Sequence, residues 1–264
     1  MRQVHRYFTT YKHLSGPLFS VGGPSPYDVR QGEVGSCWLL AAMAATAQQQ
    51  PQMIRRMFEH IEPDSYRVTF PADNGAAPTA TVSADVPFRW FASEPLYAAA
   101  HSATWVSLLE KAYAKAFARA EGYEGIGGDH PRMALEQLTG WPVRDYDIDG
   151  DLSRPDQPEE WRELLAAYAN GAPMVAGSRI AQMRTDIVPM HAYAVTRIER
   201  DANGVAFVWL YDPEGLNAYP NGELPLTFDE FVSYFYYVSI AEVGAGFDEL
   251  RADGVQFDLK ELFP

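Results

Sequence analysis

Gln31-Gly32-Glu33-Val34-Gly35-Ser36-Cys37-Trp38-Leu39-Leu40-Ala41-Ala42 passes from a glycine-punctuated loop into an apolar run that continues to Gln50, just before Pro51. A segment this long and apolar on every side reads as a buried helix over 36–50. Cys37 then stands where loop becomes helix. A thiol there meets the positive end of the helix dipole, which favours the thiolate and hence nucleophilicity. The ordinary alternative is a buried cysteine that packs as a small hydrophobe.

Cys37 is also the only cysteine among 264 residues, so no intrachain disulfide can form. A reducing setting is the default, and export by a leaderless route would look the same. Met1 to Thr10 lacks the apolar core of a signal peptide, and the run around Cys37 is too short to span a bilayer. With 47% hydrophobic and 21% charged residues the chain is globular, and its length suits one large domain or two lobes. Lys and Arg number 21 against 35 Asp and Glu, a net charge of −14. That field repels phosphate backbones and anionic lipid, so neither nucleic acid nor membrane is expected as a partner, while basic partners are weakly favoured. Most of the excess reads as solvated surface.

Residues 15–30 read as a Gly/Pro-rich loop, and 51–60 as a second short helix. Tyr66–Phe70 and Ala80–Val86 alternate as strands around an Asp73-Asn74-Gly75 turn. Trp105, Leu108, Leu109, Ala112 and Tyr113 recur at helical spacing over 104–121, with Gly122 placed to cap the end. A helix over 158–169 stops at Asn170-Gly171, and strands are expected at 173–178, 191–199, 205–212 and 234–242. A helix-rich first part (1–140) and a strand-rich second part (141–264) imply an α+β chain of two unlike lobes joined near Thr139-Gly140.

A nucleophile needs a base. Of six histidines only His191 opens an apolar strand, His191-Ala-Tyr-Ala-Val-Thr196. After a turn at Asp201-Ala202-Asn203-Gly204 the return strand Val205 to Asp212 ends at Pro213. Paired positions across a two- or four-residue loop sum to an odd number, as 191 and 212 do, so both side chains project from one face. A four-residue loop puts them in diagonal reach, and an Asn203-Gly204 loop leaves them further apart. Taken alone, a strand histidine is more often a packed residue than a base.

Other chemistry has little footing. No paired-cysteine or His-Glu-x-x-His spacing for zinc is present. Gly125-Ile126-Gly127-Gly128 lacks the lysine and the preceding strand of a phosphate loop. Asp145 to Asp156 has EF-hand-like spacing but no credible helix before it, so an acidic strand end followed by a linker is the simpler reading.

Together these segments resemble the calpain family of papain-like cysteine proteases. The block 31–42 looks like the family's active-site block, with Ser36 where calpains usually have Asp. Trp105 to Lys115, Gly122-Tyr123-Glu124, Gly127-Gly128, Ala134-Leu135 to Thr139-Gly140, His191–Thr196 and Leu224–Phe231 follow in family order, from about Val21 to Val243. Five or more collinear blocks make the resemblance specific. It implies a papain-like two-lobe α+β core in which Cys37 attacks a peptide carbonyl, His191 shares its proton, and Gln31 helps hold the oxyanion. Gly127, Gly128 and Trp38 would border the substrate cleft. Where calpains carry Asn-Pro-Trp this chain has Asp212-Pro213-Glu214. Asp212 can still orient the histidine, while Glu214 in place of the shielding Trp should open that hydrogen bond to water unless Trp209 covers it.

The resemblance also implies a calcium site on the backbone oxygens of Val21 and Gly23 and the carboxylates of Asp28 and Glu110. The alternative for the carboxylates is a loop cap at Asp28 and a helix salt bridge from Glu110. Only Glu223 obviously remains of a second family site, so none is expected there. The thiol chemistry requires no cofactor. A protein or peptide is the implied substrate, and no motif points to an inhibitor or immunity partner. The readings that compete with an endopeptidase keep the same triad for acyl transfer or isopeptide cleavage, or retain the fold as an inactive binding module. Size and the lone thiol fit a compact cytoplasmic enzyme, or an effector exported without a classical signal peptide.

Overall fold

The computed structural model describes residues 9–71, 76–100, 103–148, 158–181, 184–215 and 222–243. In chain order the first part holds β1 (Thr9–His13), β2 (Val29–Arg30), α1 (Cys37–Gln49), α2 (Pro51–Met57), β3 (Phe58–Glu62), β4 (Ser65–Thr69), β5 (Thr79–Ser83), β6 (Asp85–Arg89), β7 (Ala99–Ala100), α3 (Trp105–Tyr113) and α4 (Pro131–Thr139). The second holds β8 (Val143–Asp147), α5 (Pro158–Ala169), β9 (Met174–Ser178), β10 (Ala192–Arg200), β11 (Ala206–Tyr211), β12 (Glu223–Thr227), α6 (Phe228–Tyr234) and β13 (Phe235–Ala241).

Strands β8 to β13 form one antiparallel six-stranded sheet in the order β12-β11-β10-β9-β13-β8. Side chains alternate across it as the strand period requires. Val175, Ala192, Ala194 and Tyr211 join the core that contains α1, whereas Met174, Ala176, Tyr193, Val195 and Leu210 join a second core with Leu164 of α5 and Phe231 of α6. The sheet is thus covered on both faces. Helix α1 is buried continuously from Trp38 to Ala47, which explains why it is apolar all round rather than striped. Its alanines let it lie close against β9 and β10.

Several expected elements differ in extent. The second helix ends at Met57, because Phe58–Glu62 pairs with β4 and tertiary pairing overrides local helical preference. The expected strand over 80–86 breaks at Ala84 into β5, which pairs with β4, and β6, which pairs with β1. The helix expected over 104–121 is α-helical only to Tyr113. It then widens to a π segment, Ala114–Ala118, where the Ala114 N–H reaches both the Glu110 and Lys111 carbonyls. A 3₁₀ segment, Arg119–Ile126, follows, and Gly122 lies inside it at positive φ instead of capping a helix. Asp73-Asn74-Gly75 and residues 149–156 of the acidic run lie outside the described residues. Asp145 and Asp147 belong to β8, the strand-end reading.

Two bonds stitch the parts together beside the nucleophile loop. The Gln31 N–H donates to the Pro213 carbonyl at 2.7 Å, and the Tyr211 hydroxyl donates to the Val29 carbonyl at 2.6 Å.

Candidate active site

Ser36 occupies the N-cap of α1, and its carbonyl accepts the Leu39 and Leu40 N–H groups. Its hydroxyl does not cap the helix. It donates instead to Glu110 Oε1 at 2.8 Å, which leaves the helix N-terminus open beneath Cys37. The Trp38 indole donates to the Ile126 carbonyl at 3.0 Å and fixes the first turn.

The hairpin delivers His191 and Asp212 by a route that differs from the one expected. The β10–β11 connection, 201–205, is five residues long, and positions next to it pair with an even sum, such as Arg200 with Ala206. A bulge between Val195 and Arg197 then restores odd pairing, Val195 with Leu210 and Ala194 with Tyr211. Without that bulge the two side chains would face opposite sides of the sheet. His191 Nε2 meets Asp212 Oδ1 at 2.8 Å, with the two side chains 3% and 0% exposed. With Nε2 taken by Asp212, Nδ1 is the ring nitrogen available to Cys37.

Burial pulls the His191 pKa down, but hydrogen bonds to Asp212 and Cys37 and their charges outweigh it and carry the imidazole up to about 9. Burial works to raise the Cys37 thiol, yet its bonds and charge interaction with His191 and nearby backbone N–H groups bring it below the ordinary thiol range. Both directions favour a thiolate–imidazolium pair. Asp212 Oδ1 also accepts the Glu214 N–H at 2.9 Å, while buried Oδ2 has no partner among the described residues.

Because Asp212 is fully buried, the replacement of Trp by Glu214 has not opened its bond to water. Trp209 is not the cover. Its indole donates to Glu199 at 2.9 Å and Arg197 lies over its ring. The Tyr193 ring stands edge-on to the imidazole, with centroids 5.0 Å apart.

A cleft of about 610 Å³ opens at Cys37 and His191, lined among others by Trp38, His130, Ile180, Met190 and Tyr237. Gly127 and Gly128 are not on its wall, which starts at Asp129; Gly128 instead donates its N–H to the Gly35 carbonyl at 2.9 Å and steadies the nucleophile loop. His130, Met190 and Tyr237 were missed by sequence reasoning. Pro131 after His130 is a helix-start signal that could have placed His130, which caps α4 and stacks on Tyr237 at 4.6 Å. Met190 holds φ 53° immediately before His191, a strained position of the kind found at functional sites.

The carboxylates expected to ligate calcium are occupied differently. Asp28 Oδ2 accepts the Ser25 N–H at 3.0 Å and the Trp105 indole at 2.8 Å, so the loop-cap reading describes it. Glu110 is fully buried, with Oε1 on Ser36 and Oε2 on the Ala98 N–H at 2.8 Å. It forms no helix salt bridge, since Lys111 and Lys115 donate to carbonyls of the β5–β6 region. The Gly23 carbonyl accepts the Ser20 hydroxyl at 2.8 Å, and the Val21 side chain is exposed. Asp28 and Glu110 thus already accept protein donors, and no group of three or more His, Cys, Asp or Glu side chains suited to a metal occurs among the described residues.

Burial is the main reason that Glu110 is raised from 4.5 to about 7, partly offset by the Ala98 and Ser36 donors. The folded pKa exceeds the unfolded one, so the stability it contributes is full below about 4.5 and is lost as pH rises through about 7. That gap is worth on the order of 3 kcal/mol. Glu110→Gln, which keeps an acceptor for Ala98, is expected to stabilise the fold above pH 8 by about 1–3 kcal/mol and to make no such difference at pH 5. Urea midpoints at the two pH values check this, and a loss at pH 8 would contradict it.

A half-buried thiol at a helix start, faced by an imidazole and a carboxyl from an antiparallel sheet, is the arrangement of a papain-like cysteine protease core. The sequence profile described as calpain family cysteine protease matches residues 8–225, and the chain belongs to that family. Similar proteins include the calpain-type cysteine protease DEK1 of Arabidopsis thaliana, 29% identical over an alignment that covers 75% of this chain and 9% of the relative. Calpain-5 of Mus musculus is 26% identical over 76% of this chain and 34% of its own length. Calpain-A of Drosophila melanogaster is 26% identical over 90% of this chain and 33% of its own. The chain therefore spans about a third or less of these relatives.

Proposed function

We propose that the chain is a cysteine endopeptidase acting through Cys37, His191 and Asp212. The carrying observation is the buried His191–Asp212 bond, which turns Nδ1 to a thiol whose pKa is lowered. The Cys37 sulfur attacks the peptide carbonyl, whose electrons move to oxygen beside the Cys37 N–H and the Gln31 amide. Collapse breaks the C–N bond, and the leaving amine takes the proton from His191 Nδ1. Water, deprotonated by the same nitrogen, then hydrolyses the thioester and returns the thiol. In this reading Trp38 shapes the cleft, Gly127 and Gly128 support the nucleophile loop, and the division between lobes falls near Gly140. No step runs through calcium.

Incubating casein with an added amine, with and without calcium, and weighing the products intact tests this. Cys37-dependent fragments are the expected result. Amine adducts without fragments would instead identify an acyl transferase, and labelling of Cys37 by iodoacetamide should fall sharply in His191→Ala.

A further inference from the structure

Glu214 touches both groups that the proposed reaction uses. Its Oε1 accepts from Gln31 Nε2 at 3.2 Å and lies 3.9 Å from His191 Nδ1. Gln31 Oε1 is buried without a partner among the described residues, and among them Glu214 is what holds that amide at rest. The Glu214 side chain is 31% exposed, so it is open to solvent beside the imidazole.

The leaving amine must come within hydrogen-bond reach of Nδ1 to collect its proton. The residue that follows the scissile bond therefore emerges a few ångströms from the Glu214 carboxylate. A substrate oxyanion would take one of the two Gln31 Nε2–H donors and bring a second negative charge close to that carboxylate. An acidic neighbour would worsen its position, and a lysine or arginine side chain would offset the charge with a charge-assisted bond. Arg30 does not fill this place. Its guanidinium packs against Gly215, and no ion pair between it and Glu214 occurs among the described residues. The net charge of −14 acts in the same sense on approach.

Resting on the endopeptidase reading, we infer that Glu214 is a specificity-determining residue that selects substrates with a basic residue immediately after the scissile bond.

The test takes a bond cut in casein and builds three peptides on it that differ only in the following residue: Lys, Leu or Glu. Wild type is expected to favour Lys over Glu in kcat/KM by about tenfold or more, the worth of one charge-assisted bond. That ratio should shrink between low and high salt. In Glu214→Gln it should fall to within about threefold, and in Glu214→Lys it should reverse. Cleavage with a wild-type ratio near one, or with a ratio that neither salt nor Glu214→Gln reduces, overturns the selection while leaving the endopeptidase standing. Absence of any Cys37-dependent cut in casein overturns the endopeptidase reading itself, and this inference with it.

Discussion

Cys37→Ala is expected to leave no measurable peptide hydrolysis, and Asp212→Ala to reduce kcat/KM by about 10²–10³-fold while Asp212→Asn stays within about tenfold of wild type. The first outcome follows from the composition, since no second cysteine exists to substitute. The other two follow from what Asp212 Oδ1 does. It accepts from His191 Nε2 at 2.8 Å and from the Glu214 N–H at 2.9 Å. Asparagine retains an oxygen for both donors and keeps the ring orientation, but it gives up the anion that helps raise the imidazole to about 9. Alanine removes the acceptor, leaves two buried donors unmatched, and frees the ring to turn from the thiol. Steady-state kinetics on one peptide, with circular dichroism to check folding, separates the cases. Equal losses in the two Asp212 variants would show that charge, not orientation, is its contribution.

Gly32→Ala is expected to destabilise the fold by about 3 kcal/mol and to lower activity in the protein that remains folded. A Cβ at Gly32 would stand 2.6 Å from the Leu96 carbonyl oxygen and closer still to that of Tyr97. Both obstacles are backbone, so no rotamer change relieves them. The Glu33 N–H donates to that same Leu96 carbonyl at 3.0 Å, and the Ala98 N–H is pinned by Glu110. The 96–98 segment therefore cannot yield on the far side, and the displacement passes to Gln31 instead. A lower urea midpoint together with a kcat loss that persists below it is the expected pair of results. An unchanged midpoint would mean that the 96–98 segment moves freely.

How far the sequence disclosed this site depended on whether the information was local. The helix start at Cys37 was legible because loop residues and an all-apolar run meet there. The shared face of His191 and Asp212 was legible from parity, yet the loop length assumed was wrong, and a bulge near Thr196 compensates for it. Nothing in a period-2 pattern announces a bulge. The end of α3 at Tyr113 was hidden because alanines and aromatics continue the helical spacing beyond it. Gln31 and Glu214 are 183 positions apart, and only the fold reveals their contact. Asp28 and Glu110 show the opposite difficulty: their residue types suit a cation, but the donors that occupy them come from Ser25, Trp105, Ser36 and Ala98.

The two bonds that stitch Gln31 to Pro213 and Tyr211 to Val29 carry a mechanical consequence. They act as the spine of a book whose pages are the cleft walls. A ligand that levers the far rim apart leaves the spine intact and the thiol and imidazole in register. One that forces the spine must first drag Gln31 from its place, so a wedge at that edge would disable the enzyme without ever reaching the sulfur.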